Sequence, residues 1–115
     1  MNSVIILAGG KGERFSTNIP KQFFNLKRNK SILNISVNQF LNNKFIDEII
    51  IVVPYDWVEK VKKQFINCKI IAGGKTRSQS SLKGLKKCSK KCQNVLIHDA
   101  ARPLISQNII NECIT

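Results

Sequence analysis

Apolar residues fall into two patterns along this chain, and their alternation predicts its architecture. Val4-Ile5-Ile6-Leu7-Ala8 and Ile49-Ile50-Ile51-Val52-Val53 are unbroken, mostly β-branched runs. Such runs suit strands buried on both faces, as in a parallel sheet. Shorter runs at Lys69 to Ala72 and Asn94 to His98 predict a third and a fourth strand. Between them the apolar positions switch to helical spacing. Ile32, Leu33, Ile35, Val37, Phe40 and Leu41 follow Ser31, an expected cap, and Asn42-Asn43 closes that helix. Asp56 is the expected N-cap of a helix carrying Trp57, Val58, Val61 and Phe65. Thr76 to Cys88 predicts a helix with Leu82 and Leu85 inward, and a last helix is expected from Ser106 through Ile109, Ile110 and Cys113. Gln22 to Leu26 is expected to be a short extended piece, and Lys27 to Lys30 a turn.

This alternation specifies an α/β layer fold with a mainly parallel sheet. Ligands of such sheets collect at the carboxyl ends of strands. Three of those ends carry suggestive residues: Ala8-Gly9-Gly10, Gly73-Gly74 and His98-Asp99. Their meeting in one crevice would be stronger evidence than any one of them.

Composition narrows the classes. At 115 residues the chain makes one domain at most, and 43% hydrophobic residues can supply a core. No apolar run approaches the roughly 20 residues that span a bilayer, and no room is left for a signal or transit peptide, so a cytoplasmic location is expected. A net charge of +12 favours polyanionic partners: nucleic acid, phosphorylated metabolites or acidic surfaces. The lysines are scattered, however, and only Lys86-Lys87-Cys88-Ser89-Lys90-Lys91 is dense, which a solvated helix end explains. Nucleic acid is therefore not the expected partner. Cys88 and Cys92 would share a face if their segment is helical. With no C-x-x-C and one histidine, the four cysteines read as buried or incidental thiols rather than zinc ligands.

The first strand runs directly into Gly9-Gly10-Lys11-Gly12-Glu13-Arg14. Glycine lets a ligand approach the backbone, so a strand delivering this loop presents a nest of N–H groups for phosphate. Arg14 and Lys21 would add positive charge around the same anion. The dinucleotide fingerprint fails because Phe15 stands at its third glycine, and the P-loop pattern fails because Lys69 stands where Gly74-Lys75-Thr76 would need its first glycine. At the other end, Asp99 is by default a turn or cap residue. Beside a phosphate loop it is equally the hard oxygen ligand that Mg²⁺ prefers, with substrate phosphates completing the shell. Arg102 could clamp a second phosphorylated group.

Ala8-Gly9-Gly10-Lys11-Gly12-Glu13-Arg14, Pro20-Lys21-Gln22, Gly73-Gly74-x-x-Arg77-x-x-Ser80 with Gly84-Leu85, and His98-Asp99-Ala100-Ala101-Arg102-Pro103 occur in the order and at the intervals of a known family. The chain resembles the 2-C-methyl-D-erythritol 4-phosphate cytidylyltransferases of the non-mevalonate isoprenoid pathway. The opening motif is shared by many sugar-phosphate nucleotidyltransferases; the His-Asp-Ala-Ala-Arg-Pro run favours this family over the related ribitol-phosphate enzymes.

The resemblance implies a three-layer Rossmann-like nucleotidyltransferase fold, here truncated after the fourth strand. Residues 1–115 would be the nucleotide-binding half of one such domain. It implies that Ala8, Gly9, Gly10 and Gly12 wrap CTP, and that Arg14 and Lys21 stabilise the transition state. Gly74 and Ser80 would contact base and ribose, Asp99 would bind Mg²⁺, Ala100 would lie against the nucleotide, and Arg102 would face methylerythritol phosphate. A homodimer is implied for the full-length enzyme, and no membrane. Gly9 replaces a residue that is usually alanine, and Lys75 one that is often acidic. Two other readings stand beside this one: a cytidylyltransferase for another alditol phosphate such as ribitol 5-phosphate, and a non-catalytic basic fragment that binds nucleotide or nucleic acid.

Overall fold

A computed structural model describes residues 2–8 and 32–100. It contains strand β1 (Asn2–Leu7), helix α1 (Ile32–Leu41), strand β2 (Glu48–Val53), a 3₁₀ turn (Tyr55–Trp57), helix α2 (Val58–Gln64), strand β3 (Lys69–Ala72), helix α3 (Arg77–Lys87) and strand β4 (Asn94–Asp99). The strands form one sheet in the order β3-β2-β1-β4, and each neighbouring pair is parallel. The expected extended piece and turn before Ile32, the Ser31 cap and the helix near Ser106 lie outside the described residues.

The two central runs behave as their sequence demands. Val4, Ile5 and Ile6, and across the ladder Ile50 and Ile51, are fully buried. Alternate side chains point to opposite faces. One face of the sheet presents Val4, Ile6, Ile49, Ile51, Val53 and Ile70, and packs against Leu33, Val37 and Phe40 of α1 and Val61 and Phe65 after it. The other presents Ile5, Leu7, Ile50 and Val52, where α3 and its cap Cys88 sit. The three-layer expectation holds. Its physical reason is chirality: crossovers of one hand put α1 and α2 on one face while the chain moves outward from β1 to β3. The same hand puts α3 on the other face when the chain returns past β1 to β4.

Helix α3 corrects one expectation. Leu82 and Leu85 do not point inward; they are 52% and 42% exposed, while Ser80 and Gly84 are buried. A Cβ on Gly84 would lie 2.7 Å from Ile5 Cγ2, so the helix rides directly on the central strand. Close approach of backbone to sheet selects small residues at the contact and leaves the leucines on its flanks. Asp56 is also not an N-cap: Pro54 opens the 3₁₀ turn, and α2 begins after Trp57 without a side-chain cap. Helix α3 ends at Lys87, so Cys88 and Cys92 do not share a helical face. Burial pushes the Cys68 thiol up to about 11, in keeping with an inert thiol.

The amino end of the sheet is closed by one acid. Glu48 opens β2, is buried, and pairs with Lys69 at the start of β3. Its Oε1 accepts from Ser3 Oγ on β1 at 2.8 Å and from the Ser89 N–H beyond α3 at 3.0 Å. Burial alone would raise this carboxyl, but hydrogen bonds from Lys69, Ser89 and Ser3 and the charge of Lys69 together hold it below its ordinary value of 4.5.

These contacts make two outcomes testable. Gly84→Ala gains about 1 kcal/mol of helix propensity but overpacks Ile5 at a cost of about 1–3 kcal/mol, so urea denaturation should show a net loss. In an Ile5→Ala background, where the space is open, the same substitution should stabilise. Because the folded Glu48 pKa is depressed, its contribution is fully present above the unfolded value and is lost as pH falls through the folded one. Denaturation of wild type against Glu48→Gln should therefore give stabilities that differ at pH 6 and converge once the pH has fallen through the depressed Glu48 pKa; a pH-independent gap would refute the role of the charge.

Candidate nucleotide site at the carboxyl edge of the sheet

The four strands end level. Leu7 pairs with Val52 on one side and Asp99 on the other, and Val53 pairs with Ala72. Each ladder then continues one residue past its strand. Ala8 N–H donates to Val52 O at 2.8 Å, Ala100 N–H to Leu7 O at 2.9 Å, and Gly73 N–H to Val53 O at 2.8 Å. Ala8 and Ala100, both fully buried, are thus fixed side by side at the point where the strand order reverses, the usual ligand crevice of such a sheet. The Gly73-Gly74 turn leaves the same edge two strands from β1, about 10 Å away at ordinary strand spacing. Opposite it, β4 delivers Asp99.

The turn is shaped by α3. A Cβ on Gly73 would stand 2.9 Å from Ser80 Oγ, and one on Gly74 would stand 2.5 Å from Gln79 Cβ. Close contact, rather than a left-handed backbone, is what demands glycine here. Ser80 Oγ accepts the Gly74 N–H at 3.0 Å, and Gln79 Oε1 accepts the Lys75 N–H at 2.8 Å. Thr76 Oγ1 in turn accepts the Gln79 N–H at 3.1 Å, capping α3. This is a capping box displaced by one residue, and the signal that could have found Gln79 is the run Thr76-Arg77-Ser78-Gln79. Lys83 Nζ reaches Gly73 O at 3.4 Å, and Lys75 and Arg77 are exposed nearby in sequence. The edge is therefore basic.

The structure brings together Ala8, Gly74, Ser80, Asp99 and Ala100 on one edge of the sheet. Gly9, Gly10, Gly12, Arg14, Lys21 and Arg102 lie outside the described residues. Among the described residues no three His, Cys, Asp or Glu side chains gather to hold a metal. Among the described residues Asp99 is one hard oxygen donor at this edge that a divalent ion could share with a substrate and water. No helix among the described residues is long and apolar enough to cross a membrane.

A family model described as IspD, 2-C-methyl-D-erythritol 4-phosphate cytidylyltransferase, matches residues 2–115. A 2-C-methyl-D-erythritol 4-phosphate cytidylyltransferase of Clostridium botulinum (strain Loch Maree / Type A3) is 48% identical over 115 residues, covering 95% of this chain and 50% of the relative. The crystal structure of 4-diphosphocytidyl-2C-methyl-D-erythritol synthase from Anaerococcus prevotii superposes with a TM-score of 0.79 at 29% identity, over 98% of this chain and 48% of that one. The fold is shared more widely: a manganese complex of Rv0371c from Mycobacterium tuberculosis gives a TM-score of 0.70 at 13% identity, over 98% of this chain and 56% of that one. The chain spans about half the length of the curated relatives it matches.

Ser80→Ala should loosen the turn without unfolding the protein. Loss of the acceptor for Gly74 N–H should speed amide exchange at Gly74 roughly tenfold, the equivalent of about 1.4 kcal/mol. Amide exchange monitored by NMR reads this directly, and unchanged protection at Gly74 would show that the hydroxyl does not hold the turn.

Proposed function

The chain belongs to the 2-C-methyl-D-erythritol 4-phosphate cytidylyltransferase family, and we propose that it forms the nucleotide-binding half of a domain with that activity. The whole protein would transfer a cytidylyl group from CTP to 2-C-methyl-D-erythritol 4-phosphate, giving CDP-methylerythritol and pyrophosphate. The observation that carries this reading is the meeting of three motif ends, Ala8, Gly73-Gly74 and Asp99-Ala100, on one edge of the sheet.

A phosphate oxygen of methylerythritol phosphate attacks the α-phosphorus of CTP, and the bond to the bridging oxygen of pyrophosphate breaks. The attacking phosphate is already ionised, so no protein nucleophile or general base is needed. The protein's task is alignment and neutralisation of charge on the α-phosphoryl oxygens. Gly9, Gly10 and Gly12 offer backbone N–H groups to the triphosphate, Ala8, whose own N–H is spent on Val52 O, borders the nucleotide, and Arg14 and Lys21 offset the developing charge. Gly74 and Ser80 border base and ribose, and Ala100 lies against the nucleotide. Arg102 grips the methylerythritol phosphate. Asp99 would hold Mg²⁺, which when bound neutralises phosphate oxygens and orients them. On the same reading the whole protein is a cytoplasmic homodimer.

The whole protein mixed with CTP, Mg²⁺ and methylerythritol phosphate should release pyrophosphate, and ribitol 5-phosphate should substitute poorly. Equal release with either acceptor would remove the specific assignment. Lys21→Ala should lower kcat by about 10²–10³-fold, the usual effect of deleting one charge-stabilising donor. Near-normal turnover would mean that Lys21 lies away from the reacting phosphates.

A further inference from the structure

Ser36 sits in the middle of α1 and is fully buried. A serine there is expected to bond back to the carbonyl one turn earlier or to yield to alanine, the better helix former. It instead donates its Oγ hydrogen across 64 positions to Ala100 O at 3.2 Å. Ala100 is also fully buried, and its own N–H is spent on Leu7 O. The peptide groups on both sides of Ala100 are therefore pinned, one by β1 and one by α1.

We propose that Ser36 is a positioning residue for the candidate site, acting through Ala100 to fix the corner at which β4 presents Asp99. The inference rests on the nucleotide reading of that edge. Asp99 pairs with Leu7 at the last rung of the ladder, which holds its backbone on the strand side. On the far side it is steadied through Ala100. Without the Ser36 hydroxyl, the Ala100 carbonyl loses its buried donor, and Ala100 keeps its bond to Leu7 O alone of the two. A carboxylate that binds a cation shared with a substrate tolerates little movement, because a displacement of about 1 Å from productive geometry costs on the order of 10²-fold. Ser36 touches no reacting atom on this account. It also joins α1 to Ala100, which is buried with Val4, Ile6 and Ala8 on the α1 face of the sheet.

The test uses the whole protein and calorimetric titration with CTP, once in EDTA and once in Mg²⁺. Ser36→Ala should bind CTP about tenfold more weakly in Mg²⁺ and lose distinctly less in EDTA, where only the contact of Ala100 with the nucleotide is disturbed. The kcat for pyrophosphate release should fall at least as far as the affinity in Mg²⁺. Should Ser36→Ala not fold, Ser36→Cys, close in size and a weak donor, is read by the same pair of titrations. Wild-type affinity in Mg²⁺ overturns the proposal, and so does an equal loss with and without Mg²⁺, which marks general loosening. If wild type binds CTP but transfers nothing to methylerythritol phosphate, the reaction reading fails while the two titrations still decide Ser36. If wild type binds no CTP, both readings fall together.

Discussion

Everything described depends on the burial of β1 on four sides. Its two edges are taken by parallel ladders to β2 and β4, and its two faces by α1 and α3. A strand in that position can carry no polar side chain without a partner. Ser3 obeys the rule by donating to Glu48, and the strand beyond it is apolar. The constraint propagates outward. Because Ile5 fills the α3 face, α3 must meet it with Gly84. Because β1 is held on both edges to its last residue, the loop that leaves it starts from a fixed point.

The two ends of the sheet are built from different interactions, and the difference separates stability from chemistry. At the amino end, side chains do the joining: Glu48 reaches β1, β3 and the segment after α3, and Lys69 also donates to Lys87 O at 3.0 Å. At the carboxyl end the joints are backbone hydrogen bonds that run one residue past the strands, with small residues beside them. Ala8 and Ala100 are themselves fully buried and Gly73 is packed against Ser80, so this end is fixed by its main chain rather than by long side chains. An excess of twelve positive charges over the chain favours an anionic ligand.

Much of the fold is legible in the sequence because burial on both faces leaves an unbroken apolar run, the mark of β1 and β2. Helix α3 is legible in extent but not in orientation. Periodicity assigns Leu82 and Leu85 inward by hydrophobicity, whereas the contact distance is set by the neighbour, here Ile5, and favours Ser80 and Gly84. Of the candidate site, Ala8, Gly74, Ser80, Asp99 and Ala100 are legible through motif order, and the structure adds their common edge. Ser36 is invisible for a different reason. In a helical pattern it reads as one more small residue, and its partner lies 64 positions away, beyond the reach of any local rule. Gln79 does leave a local trace in the cap it completes.

The proposed reaction explains why these motifs contain so many small residues. When the nucleophile is a phosphate oxygen supplied by the substrate, a reactive side chain adds little, and rate depends on where the phosphoryl groups are held. Position is best fixed by main-chain groups that are themselves fixed. That requires glycine where a side chain would obstruct, as at Gly74 against Gln79, and alanine where the backbone must be buried, as at Ala8 and Ala100. It also requires hydroxyls short enough to reach a carbonyl or N–H without filling the crevice, as Ser80 does for Gly74 and Ser36 for Ala100. Charged residues then act on a frame already in place. The geometry of the frame, more than the identity of any one cation, is what the central strand secures.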